Sequence, residues 1–219
     1  MAAGVVAGVT EKDAGPREVA PASTSVPSLP RAWNAENFAR EQIRGLVRRT
    51  FLQKGQHMRQ VTFSGAGPGM EVEELCRTVG GILAEEASGD VAVVCPMFGH
   101  GAVEREVSLR DMAERLGTNL WLLHWEEGAG FGGLYSYLGA VRVEFDYSVV
   151  VGPAADEPNR VVEAARFSEG VVLVLSALYT RRAAALRAKR ALEEGGVRIL
   201  GTVLTDREFP IPQSLYRFL

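Results

Sequence analysis

The sequence predicts a doubly wound α/β domain, a mostly parallel sheet with helices on both faces. Three observations carry this reading. Short runs such as Val91-Ala92-Val93-Val94-Cys95 are apolar and β-branched without polar alternation, the pattern of strands buried on both faces. Segments of helical periodicity separate these runs, as right-handed crossovers between parallel strands require. The first such run also leads into a glycine-rich turn, Gly65-Ala66-Gly67-Pro68-Gly69, ahead of a helix.

The elements follow in order. Residues 1–31 are rich in Ala, Pro, Ser, Gly and Val without periodicity, which predicts a disordered tail. Asn34 is suited to cap a helix, with Glu36 in its first turn. Phe38, Ile43, Leu46, Val47 and Phe51 recur at helical spacing, so residues 32–55 are expected to form a docking or oligomerisation helix. Residues 56–219 are then the α/β domain. Val61–Ser64 is its first strand and Met70–Ala87 a helix with Leu75, Val79, Ile82 and Leu83 inward. Val91–Cys95 is a strand, Leu109–Leu116 a helix and Leu120–Trp125 a strand. The loop Gly128–Gly133 leads to a helix over Leu134–Val143. Tyr147–Val151, Gly170–Leu175 and Val197–Leu204 are strands, separated by helices over Glu157–Phe167 and Thr180–Glu194. In such sheets ligands bind beyond the carboxyl ends of the strands, which directs attention to the loops after Phe63, Val94, Val151 and Leu204.

Composition narrows the function classes. The chain has 219 residues, 24 Lys+Arg against 27 Asp+Glu, and a formal net charge of −3. That balance gives no support to general nucleic-acid binding, which shows as a strong basic excess. Two cysteines, Cys76 and Cys95, are too few for a disulfide framework and lie in apolar stretches, as small buried hydrophobes do. No apolar run approaches the roughly 20 residues of a membrane helix. The first residues lack the basic segment of a secretory signal, so a cytoplasmic protein is expected.

The first loop reads Ser64-Gly65-Ala66-Gly67-Pro68-Gly69-Met70-Glu71-Val72-Glu73. Strand, glycine loop, helix is the setting in which backbone N–H groups and a helix N-terminus cradle phosphate, and Ser64, Gly65, Gly67 and Gly69 are the candidate loop residues. A working triphosphate loop also needs a lysine and a metal-binding hydroxyl at the helix start. Here Glu71, Glu73 and Glu74 stand instead, and carboxylates there stabilise an empty helix terminus. The expected role is a tight turn, a remnant of a phosphate loop, with no cofactor.

The residues resemble a known family, the cytoplasmic P-loop domain of bacterial tyrosine autokinases of polysaccharide export (the CpsD/CapB/Wzc type), over residues 35–219. The family's E-x-x-R-x-x-R helix is matched by Glu41 and Arg44, with Val47 in the third position. In a loop like S-A-x-P-G-E-G-K-S-T, Pro68 and Gly69 match, while Glu71, Val72 and Glu73 replace the Gly, Lys and Ser/Thr. The strand ending D-x-D is similar to one ending Val94-Cys95-Pro96-Met97, with Cys95 and Met97 in the aspartate positions. F-D-Y-V-I-I-D-T-P-P resembles Phe145-Asp146-Tyr147 through Pro153, with Gly152 read in place of the aspartate. Phe167 to Val174, Thr180-Arg181-Arg182 and the ending Phe209-Pro210-Ile211-Pro212 through Leu215-Tyr216-Arg217 are also similar. Thr205-Asp206 stands where relatives often carry the adenine-reading asparagine.

The resemblance implies a P-loop NTPase-like fold, a place in exopolysaccharide synthesis or export, and Glu41 and Arg44 as interaction residues. Phosphoryl transfer rests on metal, lysine and positioned carboxylates, so replacing them together predicts a non-catalytic member. Its partner would be a membrane chain-length regulator or a partner P-loop kinase, holding it at the inner face of the membrane. The alternatives are an ATP- and Mg-dependent tyrosine autokinase or ATPase with an atypical site, and a small-molecule binder using the remnant pocket. Of the remaining candidates, His100 and His124 are expected to line a surface or pocket, and Trp121, Trp125, Tyr135 and Tyr137 to be core. Arg181, Arg182, Arg187, Lys189 and Arg190 form a basic helix face whose usual meaning is solvation, and Tyr216 is expected to pack.

Overall fold

The computed structural model describes residues 35–53, 55, 58–67, 70–97, 108–126, 133–155 and 158–206, all within one compact unit. The predicted tail, Asn34 and the ending from Phe209 to Tyr216 lie outside the described residues. Seven strands form one sheet in the order β3-β4-β2-β5-β1-β6-β7. They are β1 (Gln60–Gly65), β2 (Val91–Met97), β3 (Glu114–Arg115), β4 (Leu120–Glu126), β5 (Tyr147–Val151), β6 (Val171–Ser176) and β7 (Ile199–Thr205). All pairings are parallel except β3 with β4. The helices are α1 (Ala35–Thr50), α2 (Val72–Glu86), α3 (Leu109–Met112), α4 (Leu134–Glu144), α5 (Pro158–Ala165) and α6 (Arg182–Glu194). This is a P-loop NTPase-like α/β fold.

Alternation along the strands sorts the core into two faces. Val61, Phe63, Val91, Val93, Cys95, Val149, Val172 and Val174 face α1 and α2, where Val47, Phe51, Leu75, Cys76, Val79, Ile82 and Leu83 meet them. Ala92, Val94, Leu123 and Val150 face α3 and α4, and Val171 and Leu173 face α5 and α6. Helix α2 sits close because residue 80 is glycine: a Cβ there would lie 2.5 Å from Val93 Cγ2.

Helix α1 is part of this core. Val47 and Phe51 are fully buried, and the Phe51 ring meets Tyr147 edge-on at 6.4 Å. Its exposed side is clasped to the end of α2. Arg48 holds Glu86 through two hydrogen bonds, of 2.8 and 2.9 Å, Arg44 Nε reaches Glu86 at 2.9 Å, and Arg40 pairs with Glu85.

One predicted element is corrected. The helix expected over Leu109–Leu116 ends at Met112, and Ala113 is already extended. Glu114 and Arg115 pair antiparallel with Leu122 and Trp121 of β4. The Arg115 guanidinium donates to the carbonyls of Gly117 and Thr118, closing the reversal that the helix would have had to continue through.

Candidate functional site

The carboxyl ends of β1, β2, β5 and β6 converge on the glycine loop. Ser64 is fully buried and its Oγ donates to the Pro153 carbonyl at 2.6 Å. The Gly65 carbonyl accepts from the Ala155 amide at 2.7 Å, and the Ala66 amide donates to the Val174 carbonyl at 2.9 Å. These bonds fix the start of the loop to β5 and β6. A Cβ on Gly65 would come within 3.2 Å of Met70, whereas Gly67 faces open space. Pro68 and Gly69 lie outside the described residues.

The helix that follows is turned to a different use. Val72, in the lysine position, is the first residue of α2 and packs into the core at 6% exposure. Glu71 precedes it without a side-chain capping bond. Glu73, in the Ser/Thr position, pairs with Arg77 at 2.7 Å. Across from it is the buried Cys95 thiol of β2. Burial first, then the Glu73 charge, push this thiol up to about 12, with Arg77 opposing. The side chain of Met97 lies outside the described residues.

The aspartate position of the third motif needs a correction. Counting from Phe145-Asp146-Tyr147 to Pro153 places it on Val151, one residue before Gly152. Val151 is half-buried and packs on the α1/α2 core. Gly152 is buried too: a Cβ there would stand 2.6 Å from the Thr62 methyl and 3.1 Å from the Phe63 carbonyl. Neither position supplies a carboxylate, and residue 152 has no room for one. At the end of β7, Asp206 takes a left-handed φ of 53° and accepts from Thr205 Oγ1 at 3.1 Å.

Among the described residues, the groups at these positions do not fit magnesium nucleotide. The cation that would meet β- and γ-phosphates is a buried valine, the hydroxyl is a carboxylate paired with Arg77, and the strand ends offer a protonated thiol and a valine.

Other sequence candidates fall as follows. His124 lies within β4, in register with Cys95. Its Nδ1 is buried without a hydrogen-bond partner among the described residues. No group of three metal-ligating side chains occurs among the described residues, and His100 lies outside them. Trp121 and Trp125 pack on the α3/α4 side, Tyr137 is buried there, and the Tyr135 side chain is not described. Trp121 also carries the Arg110 guanidinium 4.9 Å from its ring. Arg44 contacts Glu41, Glu85 and Glu86, all within the chain. Val47, in the family's third helix position, is a core residue. The α2 acids of this clasp, Glu85 and Glu86, were not singled out from sequence; the only signal was arginine at 40, 44 and 48 along one face of α1.

No family model matches the chain, and no curated protein matches it in sequence. Solved structures do. The BceF tyrosine kinase domain matches with a TM-score of 0.61 and 16% identity, over 76% of this chain and 76% of that one. The VpsO kinase domain matches with a TM-score of 0.61 and 16% identity, over 79% of this chain and 98% of that one. The chain has the fold of bacterial tyrosine kinase domains. A ParA family ATPase from Chlorobium tepidum is similar as well, with a TM-score of 0.51 and 15% identity over 67% and 73% of the two chains. A fold shared by kinase domains and an ATPase leaves activity to the site. Among the described residues no helix is long and apolar enough to cross a membrane.

Proposed function

We propose that this protein is a non-catalytic counterpart of the tyrosine-kinase P-loop domains, regulating or scaffolding exopolysaccharide synthesis and export. The sequence frame shared with autokinases of polysaccharide export and the common fold support the placement. The observation that carries the non-catalytic reading is Val72, buried where the lysine would meet the phosphates. Lysine, metal-binding hydroxyl and strand-end carboxylates are replaced together, which removes nearly all the charge stabilisation that phosphoryl transfer uses. The protein would act by binding, with a membrane chain-length regulator or a partner P-loop kinase as its target, at the inner face of the membrane.

The test is direct. Purified protein incubated with ATP and Mg²⁺ is assayed for phosphotyrosine and for phosphate release. The expected result is no signal above buffer. Autophosphorylation approaching one phosphate per chain, or steady ATP turnover, would establish the atypical-kinase reading in its place.

A further inference from the structure

The two edges of the sheet are built in opposite ways. One ends in β3, two exposed charged residues paired antiparallel to β4. Short charged strands of this kind block further pairing. The other ends in β7, seven residues of sequence Ile-Leu-Gly-Thr-Val-Leu-Thr with no charge and no proline. Among the described residues β7 pairs only with β6. The Thr205 carbonyl accepts from the Ala177 amide of the β6 side. Alternate residues of a parallel strand point the same way, so Thr202 and Leu204 direct their N–H and C=O groups outward. Both are exposed, Leu204 at 55%.

The helix beside this edge adds a sign of charge. Ala191 and Glu194 of α6, with its C-cap Gly195, line a groove against Val162, Glu163 and Arg166 on the α5 side. At 100° per residue, Arg182, Leu186 and Lys189 lie on the opposite side, toward β7. No acidic residue occurs between Glu169 and Glu193, while Arg181, Arg182, Arg187, Lys189 and Arg190 all do. Of these, only Lys189 has an ion pair among the described residues, with Glu193. Leu186 is 43% exposed, and the turn before α6 exposes Leu178 and Tyr179.

We propose that the β7 edge is a docking site for an extended, acidic segment of a partner protein, added to the sheet as an eighth strand. Backbone hydrogen bonds from Thr202 and Leu204 supply the pairing, Leu204 and Leu186 the apolar contact, and the α6 cations the choice of an acidic sequence. A second copy is a poorer occupant. Two-fold pairing of β7 with β7 brings two basic α6 faces together, and like charges oppose it. The proposal is independent of whether the nucleotide site works.

The test uses the full chain and a fluorescein-labelled probe peptide of alternating valine and threonine flanked by glutamates, with a twin carrying lysine for each glutamate. Anisotropy should show saturable binding of the glutamate peptide, about tenfold weaker for the twin and weakened by salt. Thr202→Pro removes an outward N–H without touching the β6 pairing, and should abolish binding while the circular dichroism stays unchanged. The double substitution Arg182→Glu, Lys189→Glu should reverse the preference between the peptides. Absence of saturation, equal affinity for both peptides, or binding retained in Thr202→Pro would overturn the proposal. So would a concentration-dependent dimer lost in Thr202→Pro, which would put a second copy on the edge.

Discussion

Burial of the Cys95 thiol, and after it the nearby carboxylate of Glu73 on the first turn of α2, push that thiol's pKa up. These are the positions where the kinase frame places a metal-binding hydroxyl and an aspartate. The frame still brings the two positions together, but the groups there repel a second negative charge and hold no cation beyond Arg77. The raised thiol has a measurable consequence at alkaline pH. A thiol whose folded pKa lies above its unfolded value of 9.0 contributes stability that is complete below pH 9 and is lost as pH rises toward 12. Denaturation midpoints should therefore fall between pH 8 and pH 11, and Cys95→Ala should flatten that slope. A slope unchanged by the substitution would contradict the assigned cause.

Helix α2 is set against β2 by the absence of a side chain at residue 80. Gly80→Ala gains about 1 kcal/mol in helix propensity but places a methyl 2.5 Å from Val93 Cγ2. Overpacking of this kind costs about 1–3 kcal/mol, so the variant should be less stable than the parent. Val93→Ala made in the same background should recover part of the loss. Additive effects of the two substitutions in chemical denaturation would show that the contact is not the reason for the glycine.

The clasp between α1 and α2 makes Arg44 an internal residue in energetic terms. Arg44→Glu sets a carboxylate against Glu41, Glu85 and Glu86 and should cost on the order of 1–2 kcal/mol, seen as a lower melting temperature. Light scattering of the parent should show no stable homo-oligomer held through α1. A stable homo-oligomer that survives Arg44→Glu would contradict this. The clasp also titrates. The hydrogen bond from Arg48, then the nearby charges, hold the Glu86 carboxyl below its ordinary 4.5. Its contribution is present above pH 4.5 and lost as pH falls through the lower folded value. Protection of α1 amides from hydrogen exchange should drop at acid pH, and Glu86→Gln should remove that dependence.

The strand–helix alternation was legible because each strand buried on both faces leaves an unbroken apolar run; Tyr147–Val151 is correct to the residue. The helix over Leu109–Leu116 was misread because its end depends on pairing with β4, which local periodicity does not carry. The loss of lysine is visible in sequence, since a missing residue type needs no structure to notice. The closure of residue 152 is not, because the Thr62 methyl that fills the space comes from another strand. The same holds for the clasp: Glu85 and Glu86 look like solvated helix acids until α1 is laid against them.

Restoring the loop separates a single defect from several. The combined change Glu71→Gly, Val72→Lys, Glu73→Ser should raise ATP affinity by roughly 1–3 kcal/mol, the scale of charge-assisted hydrogen bonds. It should also lower stability, because residue 72 lies in the core. No autophosphorylation is expected, since Cys95, Val151 and Gly152 still offer no carboxylate. Phosphotyrosine in this variant would mean that other acids hold the metal.

Calorimetric titration of the unmodified chain with ATP and Mg²⁺ bears on all of this most directly. With Val72 buried and Glu71, Glu73 and Glu74 at the mouth of α2, the dissociation constant should be weaker than about 1 mM, that is, less favourable than about −4 kcal/mol. A micromolar constant would contradict the account and return the chain to the nucleotide-using members of its fold.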